Sequence, residues 1–390
     1  MKKKCLIIIP GIPYPPIDGH KLKIFNLIKI LHHQFDLHIV TIDKKSLKET
    51  EKTFIDQYSY KSHHFQISVI ASLPKMFFNL FTKRPFQVCY YTVSEIKKYL
   101  GTQTLQDEYV LINLIRSAEY IKLLRNKNII FDMVDLLSKS YDKSSKTTNS
   151  VLFKMIYTIE SKRLSCYEPK IINQSDLTLC VNKAEAEDVS RYGNVKWIPN
   201  GVNESIFEYN KRDGNYQYSI AFFGAMFYQP NIDAVLWFDK YVLDWVDSKI
   251  RFYIIGSKPS KEVCELAKKR SNVIITGFME DPYLILNSCD VILAPMQNGG
   301  GIQNKILETM ALGKVNILTT YAAEPIIGGI AGQHFLVEDN PEKMAELVND
   351  VCFSFDKYAM IGKTAKQLIL EQYTWTNYKD KLYNAITDLK

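Results

Sequence analysis

The sequence predicts an α/β protein of two doubly wound domains, each a parallel sheet covered by helices. Three observations carry that prediction. The chain has 390 residues, too many for one ordinary core and suited to two domains. Strand-like and helix-like segments alternate through the first half, and the alternation starts again in the second. A glycine-rich turn at 299–301 joins a fully apolar strand to an amphipathic helix, at the kind of strand end where such sheets bind ligands.

In the first half the spacing predicts strands over 4–9, 36–42, 65–70, 109–113, 128–133 and 176–182. Helical patterns lie near 19–33, 74–82, 93–100, 115–125, 151–168 and 183–191. The start, Met1 to Pro10, has the lysines and apolar run of a signal peptide. Its apolar part is too short for one, and prolines follow at 13, 15 and 16, so it reads as the first strand. The second half predicts strands near 218–224, 250–255, 272–276, 290–295, 315–319 and 334–337. Trp197 to Asn203 closes the first array, and 204–217 is a polar linker. The expected domains are therefore 1–203 and 204–372, with a cleft between their strand ends. The last segment, 373–390, sets Tyr373, Trp375, Tyr378, Leu382 and Ile386 at helical spacing and is expected to pack back on the first domain.

Composition narrows the class. The chain is 46% apolar and 23% charged, with no low-complexity tract and no apolar run of the roughly 20 residues that span a membrane. Seven scattered cysteines without Cys-x-x-Cys spacing suit a reduced, cytoplasmic protein without structural zinc. Residues 1–200 hold 30 Lys/Arg against 19 Asp/Glu; residues 201–390 hold 19 against 23. The basic half implies an anionic partner. No nucleic-acid-binding motif is present, so an anionic membrane surface or a phosphate-bearing lipid acceptor is the expectation.

The most informative stretch follows the apolar run Asp290 to Pro295. It is Gly299-Gly300-Gly301-Ile302-Gln303-Asn304-Lys305-Ile306-Leu307-Glu308, ending at Gly313. A glycine turn ahead of a helix offers bare N–H groups to an anion, and a diphosphate fits. Lys305 adds a positive charge, and Glu308 one turn on is an acceptor for sugar hydroxyls. Three glycines making only a tight turn, with Glu308 solvated, is the plainer reading of the same residues.

This run resembles the donor-sugar loop of family 4 glycosyltransferases, in the subset written G-G-G-x-x-x-K-x-L-E-x-M-A-x-G-x-x-V. The usual pattern has two glutamates separated by seven residues; Glu308 matches the second, and Gly300 stands where the first would be. Pro199-Asn200-Gly201-Val202 resembles the phrase that closes the first domain in that family, with Asn203 replacing an aspartate. Ile220 to Ala234 resembles its G-x-M-x-Y-x-P-N variant. There Ala225 and Pro230-Asn231 stand where an arginine and a lysine are common, leaving Lys305, then Lys258, as candidate cations for the diphosphate. Gly224 and Gly256 end strands beside the donor. Val273 to Asp281, with Phe278 and Met279, resembles the stretch whose backbone pairs with the nucleobase.

Further resemblances lie in the first half. Pro10 to His20 is similar to the P-Y-P-P-x-D-G-G loop of the same subset, with His20 where a second glycine is usual. Asp18, Gly19 and His20 are candidates to touch the acceptor or the diphosphate; a rigid proline loop capped by Asp18 fits the residues equally. Ile129 to Asp135 ends in carboxylates, and relatives place a reacting-centre residue near there, which points to Asp135 and then Asp132. A helix N-cap is the alternative. Leu73 to Phe86, apolar and flanked by cations, fits an interfacial membrane helix as well as a core helix.

What the resemblance implies is a GT-B fold, two Rossmann-like domains, and transfer of a sugar from a UDP- or GDP-linked donor. The acceptor would be a hydroxyl of a glycan or polyprenyl-linked molecule, in bacterial surface polysaccharide synthesis. Configuration would be retained, with no bound metal and no cofactor beyond the nucleotide-sugar substrate. The donor would meet the backbone of Gly300, Gly301, Ile302, Gln303 and Asn304. The chemistry would rest on Asp135, Lys305 and Glu308. The protein would be cytoplasmic; the basic first half and the segment 73–86 add the expectation of peripheral attachment to the inner face of the cytoplasmic membrane, with a core helix and a soluble acceptor as the alternative. A nucleotide-sugar epimerase is the second enzyme reading; it needs several cleft acids and histidines, and four of the 7 histidines (32, 33, 63, 64) fall in two adjacent pairs. A non-catalytic partner of the same fold is the third.

Overall fold

A computed structural model describes residues 2–389 except 69–71, 73, 75, 77, 80, 104–106, 125, 126, 149, 217 and 300. The chain divides into two compact units, Met1–Pro199 with Lys379–Lys390, and Asn200–Tyr378. The division falls at 199/200 where the sequence placed it at 203/204, and the C-terminal segment is shared between the units.

The first unit holds a seven-stranded parallel sheet: β1 (Lys3–Pro10), β2 (Phe35–Asp43), β3 (Lys61–Gln66), β4 (Tyr109–Asn113), β5 (Asn128–Val134), β6 (Leu177–Cys180) and β7 (Val195–Trp197). The order is β3-β2-β1-β4-β5-β6-β7, so the winding reverses between β1 and β4. Leu6, Ile7, Ile8 and Ile9 of β1 are fully buried, as a central parallel strand covered on both faces requires. Helix α1 (Gly19–His32) returns from β1 to β2, with Asp18 as its N-cap.

Three expectations are corrected here. The sequence put β3 at 65–70; it runs Lys61–Gln66, because an edge strand tolerates the polar Lys-Ser-His-His start that hid it. The three-residue β7 was not foreseen. Helix α2 (Val151–Asn173) was expected to stop at 168, before Pro169, but continues for another turn. Burial of Ile171 and Ile172 against the core offsets the hydrogen bond lost at the proline. Expected segment 74–82 falls partly outside the described residues.

The second unit repeats the winding with six parallel strands: β8 (Ser219–Phe223), β9 (Arg251–Ile255), β10 (Val273–Gly277), β11 (Val291–Ala294), β12 (Val315–Leu318) and β13 (Leu336–Val337). Their order, β10-β9-β8-β11-β12-β13, reverses between β8 and β11. Helix α3 (Gln229–Tyr241) follows β8, and α4 (Asn304–Ala311) follows β11. Helix α5 (Ala359–Gln372) leads into α6 (Trp375–Thr387). Gly201 explains its own place in the Asn-Gly turn: a Cβ there would lie 2.5 Å from Trp375 N. Within the second unit, Val202 N donates to Tyr373 O at 2.7 Å. Within the first, Lys381 Nζ lies 4.7 Å over the Trp197 ring.

Candidate functional site

In the second unit the carboxyl ends of β8 and β11 flank the point where the strand order reverses, the place such sheets use for ligands. The loop after β8 is locked to its neighbour. Gly224 N donates to Ile255 O at 3.0 Å and Met226 N to Ser257 O at 3.0 Å. Gly256 has no room for a side chain, since a Cβ would fall 1.7 Å from Gly224 O. The two strand-end glycines thus pack backbone on backbone. Asn231, in the first turn of α3, fastens this loop by donating from Nδ2 to Ala225 O at 3.0 Å.

The loop after β11 is held from both sides. Asn298 Nδ2 donates to Asp233 Oδ2 on α3 at 2.9 Å, and the Tyr321 hydroxyl donates to Gly299 O. Gly299 and Gly301 have φ of 127° and 57°, which glycine adopts without strain. Gly300 lies outside the described residues. Helix α4 then starts without a side-chain cap at Gln303, so its first N–H groups keep their donor capacity. Ile302 is buried beneath the turn. Asn200 Nδ2 donates to Asn304 Oδ1 at 3.0 Å, while Asn200 Oδ1 and Asn304 Nδ2 are buried without a partner. Unmet buried polar atoms of this kind are rare, and this pair meets at the helix start.

Lys305 points back into the unit. Its Nζ donates to Asn231 Oδ1 at 2.7 Å, lies 3.3 Å from Met296 Sδ and sits 4.1 Å over the Phe222 ring. Burial holds its pKa well below the usual lysine value. The sequence led us to expect a fully charged lysine at the turn. The fold instead encloses that ammonium against one amide, a thioether and a ring face. Glu308 is half-buried one turn on; its Oε2 accepts from the Tyr283 hydroxyl at 3.3 Å, and burial pushes its pKa up to about 7. Phe278 is 72% exposed beyond Gly277. Met279 packs partly against the core of the unit. Lys258 Nζ lies 5.7 Å over the Phe227 ring.

The first unit holds a polar chain where its own winding reverses. Lys23, on the buried face of α1, pairs with Asp132 of β5, and both are essentially inaccessible. Asn113 Nδ2 donates to the other oxygen, Asp132 Oδ2, at 2.8 Å. The Asn113 amide is thereby oriented, and its Oδ1 faces His20 Nε2 at 2.8 Å. An oxygen there accepts, so the His20 proton sits on Nε2 and Nδ1 is left as an acceptor. Burial lowers the His20 pKa below 6.5, against opposing effects from Asn113, Asp18 and Asp132. Asp18 Oδ1 accepts from Lys21 N at 2.9 Å, which is the capping role. Gly19 is exposed at the first turn of α1.

Asp135 follows β5. Burial raises its pKa to about 6, Lys23 opposes that and Asp132 adds to it, and its Oδ1 is buried without a partner. Two further carboxylates flank it. Glu185 accepts from Leu136 N at 2.7 Å and Glu168 from Ser138 N at 3.0 Å, and burial pushes each to about 7. The backbone is strained at the two adjacent strand ends. Leu114 and Val134 have φ of 60° and 69°, costing about 1–3 kcal/mol each. Such strain collects at functional sites.

Sequence reading overlooked Lys23, Asn113, Asn200, Asn231 and Tyr283 as site residues. Lys23 had a signal, a lysine on the apolar stripe of α1. Asn200 and Asn231 stood in quoted motifs without a role. Tyr283 had none. Among the described residues no group of three His, Cys, Asp or Glu could hold a metal ion. No described helix is long and apolar enough to cross a membrane.

Residues 217–352 match the family described as glycosyl transferases group 1. The chain is 22% identical to an uncharacterized glycosyltransferase of Methanocaldococcus jannaschii, over 96% of each chain. It is 24% identical to an uncharacterized 44.6 kDa protein in the cps region of Klebsiella pneumoniae, over 95% of this chain and 96% of that one. Among solved structures, Anabaena HepE in complex with UDP aligns with a TM-score of 0.67 at 11% identity, over 99% of this chain and 100% of that one. HepE has also been solved with UDP-glucose. Sucrose-phosphate synthase of Thermosynechococcus elongatus aligns with a TM-score of 0.68 at 14% identity, over 99% of each chain. Two parallel-sheet Rossmann-like units, matched end to end by these structures, are the GT-B fold. The chain therefore has the fold of GT-B glycosyltransferases, and its second unit is similar to the group 1 glycosyl transferases.

Proposed function

We propose that this chain transfers a hexose from a nucleoside-diphosphate sugar to a hydroxyl of a glycan or lipid-linked acceptor, with retention of configuration and without a metal. The observation that carries the donor half is the start of α4. Uncapped N–H groups, the orphaned donor Asn304 Nδ2 and Lys305 on the same first turn make this helix start suited to an anion. A diphosphate there would accept from Asn304 Nδ2 and draw Lys305 to its charged form, since an adjacent anion favours it. Negative charge grows on the leaving diphosphate as the glycosidic bond breaks. Fixed donors aimed at that charge lower the barrier more than they tighten ground-state binding.

Glu308 is the acceptor for ribose hydroxyls in this reading, held at the right height by Tyr283. HepE, whose structures hold UDP and UDP-glucose, supports a uridine nucleotide as the first donor to try. The Klebsiella relative from a cps region supports a role in surface polysaccharide synthesis. On the acceptor side the reading rests on Asp135 and on His20, whose bare Nδ1 can take a hydrogen bond from a sugar hydroxyl.

The test is nucleotide release with and without acceptor, using UDP-glucose first and a panel of alkyl glycosides and extracted polyprenyl saccharides. Release that requires acceptor supports transfer. Conversion of the donor without acceptor favours epimerisation, and no turnover with any donor favours a non-catalytic partner.

A further inference from the structure

The first unit holds a cavity of about 500 Å³, within the range of about 300–1,000 Å³ found for sites that take small molecules. Tyrosines form much of its wall. Tyr90 and Tyr91 come from the short helix Phe86–Tyr91, where neighbouring residues point about 100° apart. Their rings meet at 83°, with centroids 5.2 Å apart. Tyr141 of the helix Leu137–Thr147 and Tyr157 of α2 form a second pair, with centroids 5.6 Å apart. Glu160 of α2 fixes the short helix in place. It accepts from Phe86 N at 2.8 Å and Gln87 N at 3.2 Å, so both of its oxygens are engaged.

One donor in this wall is unmet. Arg116 Nε donates to Gln87 Oε1 at 3.1 Å. A guanidinium only donates, so the amide oxygen faces it, and Gln87 Nε2 is left buried without a partner. Such orphans are rare in folded chains. Asp43, at the end of β2, adds an acceptor to the lining. Aromatic faces flanked by an amide donor and a carboxylate suit a pyranose. Its C–H face lies against a ring face, and its hydroxyls both donate and accept. A prenyl chain would cover the rings but leave Gln87 Nε2 unmet and strip water from Asp43.

The cavity lies beside the acceptor-side histidine without including it. Arg116 follows β4, and its charge opposes protonation of His20. Gly11, in the loop that leads from β1 to His20, approaches Asp43: a Cβ there would lie 4.0 Å from Asp43 Oδ2. His20 itself does not line the cavity. We infer that the tyrosine cavity binds a sugar ring of the acceptor other than the one that reacts, so the acceptor is a saccharide of two or more rings. The word acceptor rests on the proposed transfer; binding of a saccharide in the cavity does not.

The test is a glycan array probed with the full chain in the absence of donor. The wild type is expected to bind glycans of two or more sugars and to pass over single sugars. Gln87→Glu keeps an acceptor for Arg116 and removes the unmet donor, so its thermal unfolding should stay close to that of the wild type. Tyr157→Ala removes one wall. Each should lower apparent affinity for the bound glycan by about tenfold or more. Binding of no glycan, or binding by both variants like the wild type, overturns the inference. So does binding of farnesyl phosphate that Tyr157→Ala abolishes. Turnover separates this inference from the proposed function. A chain that binds these glycans but transfers no sugar contradicts the proposed function and leaves the saccharide site standing. A chain that transfers to single-ring alkyl glycosides with the same acceptor KM as to longer glycans contradicts the inference and leaves transfer standing.

Discussion

Asn231 Oδ1 accepts the hydrogen bond that Lys305 Nζ donates, at 2.7 Å, and the same amide donates to Ala225 O. One side chain thus ties the loop after β8 to the lysine of α4. Replacing Lys305 with alanine should cost more turnover than donor affinity, because the charge it meets grows toward the transition state. Steady-state kinetics should show kcat down at least about tenfold with donor KM changed less. Asn231→Ala should give a weaker copy of that effect. A fall in kcat smaller than that moves the role to another cation, with Lys258 tested next.

Glu308→Gln separates binding from stability. Burial raises the folded-state pKa of Glu308 from 4.5 to about 7, so its carboxylate costs stability that appears as pH rises through this interval. The glutamine variant should therefore be more stable than wild type above pH 7 by about 1–3 kcal/mol, and no more stable near pH 4. Donor affinity should fall, since a charged acceptor of sugar hydroxyls contributes about 1.5–3 kcal/mol. Urea unfolding at two pH values and calorimetric titration read the two effects. Unchanged donor affinity removes Glu308 from the donor site.

Lys23 and Asp132 form an ion pair with no solvent access. Lys23→Met should destabilise the first unit by about 3–5 kcal/mol, because it leaves a buried carboxylate short of its counter-charge. Combining Lys23→Met with Asp132→Leu removes both charges, so the double variant should recover much of the loss while leaving Asn113 and His20 unfixed. Ring-15N spectra of His20 should then show both neutral tautomers, where the wild type shows the Nε2–H form alone. A wild-type signal with the proton on Nδ1 contradicts the geometry.

Much of this was legible in the sequence, for physical reasons. Central parallel strands are apolar throughout, so Ile7–Ile9, Leu111, Phe222 and Leu293 announced themselves. Edge strands β3 and β7 carry no such pattern and were misplaced or overlooked. The α4 loop was readable because glycines, lysine and glutamate sit within ten residues. Lys305 with Asn231, Glu308 with Tyr283 and Lys23 with Asp132 were not, because each pair is far apart in sequence and is joined by strand order.

Chelation should leave activity unchanged. The proposed charge stabilisation uses backbone amides and Lys305, and the described residues offer no three-ligand metal group. Turnover in excess EDTA should equal turnover in buffer. A loss that magnesium or manganese restores would mean the leaving group is neutralised by an ion.

The central claim is that the start of α4 holds a nucleoside diphosphate. Calorimetric titration of the wild type with UDP, GDP and ADP tests it most directly. One of the three should bind, and at about 100 times its Kd it should stabilise the protein by about 2.7 kcal/mol. Asn304→Leu, which removes an orphaned amide at the helix start, should weaken that binding by about tenfold. Binding by none of the three at millimolar concentration, or equal binding by the variant, would contradict the account.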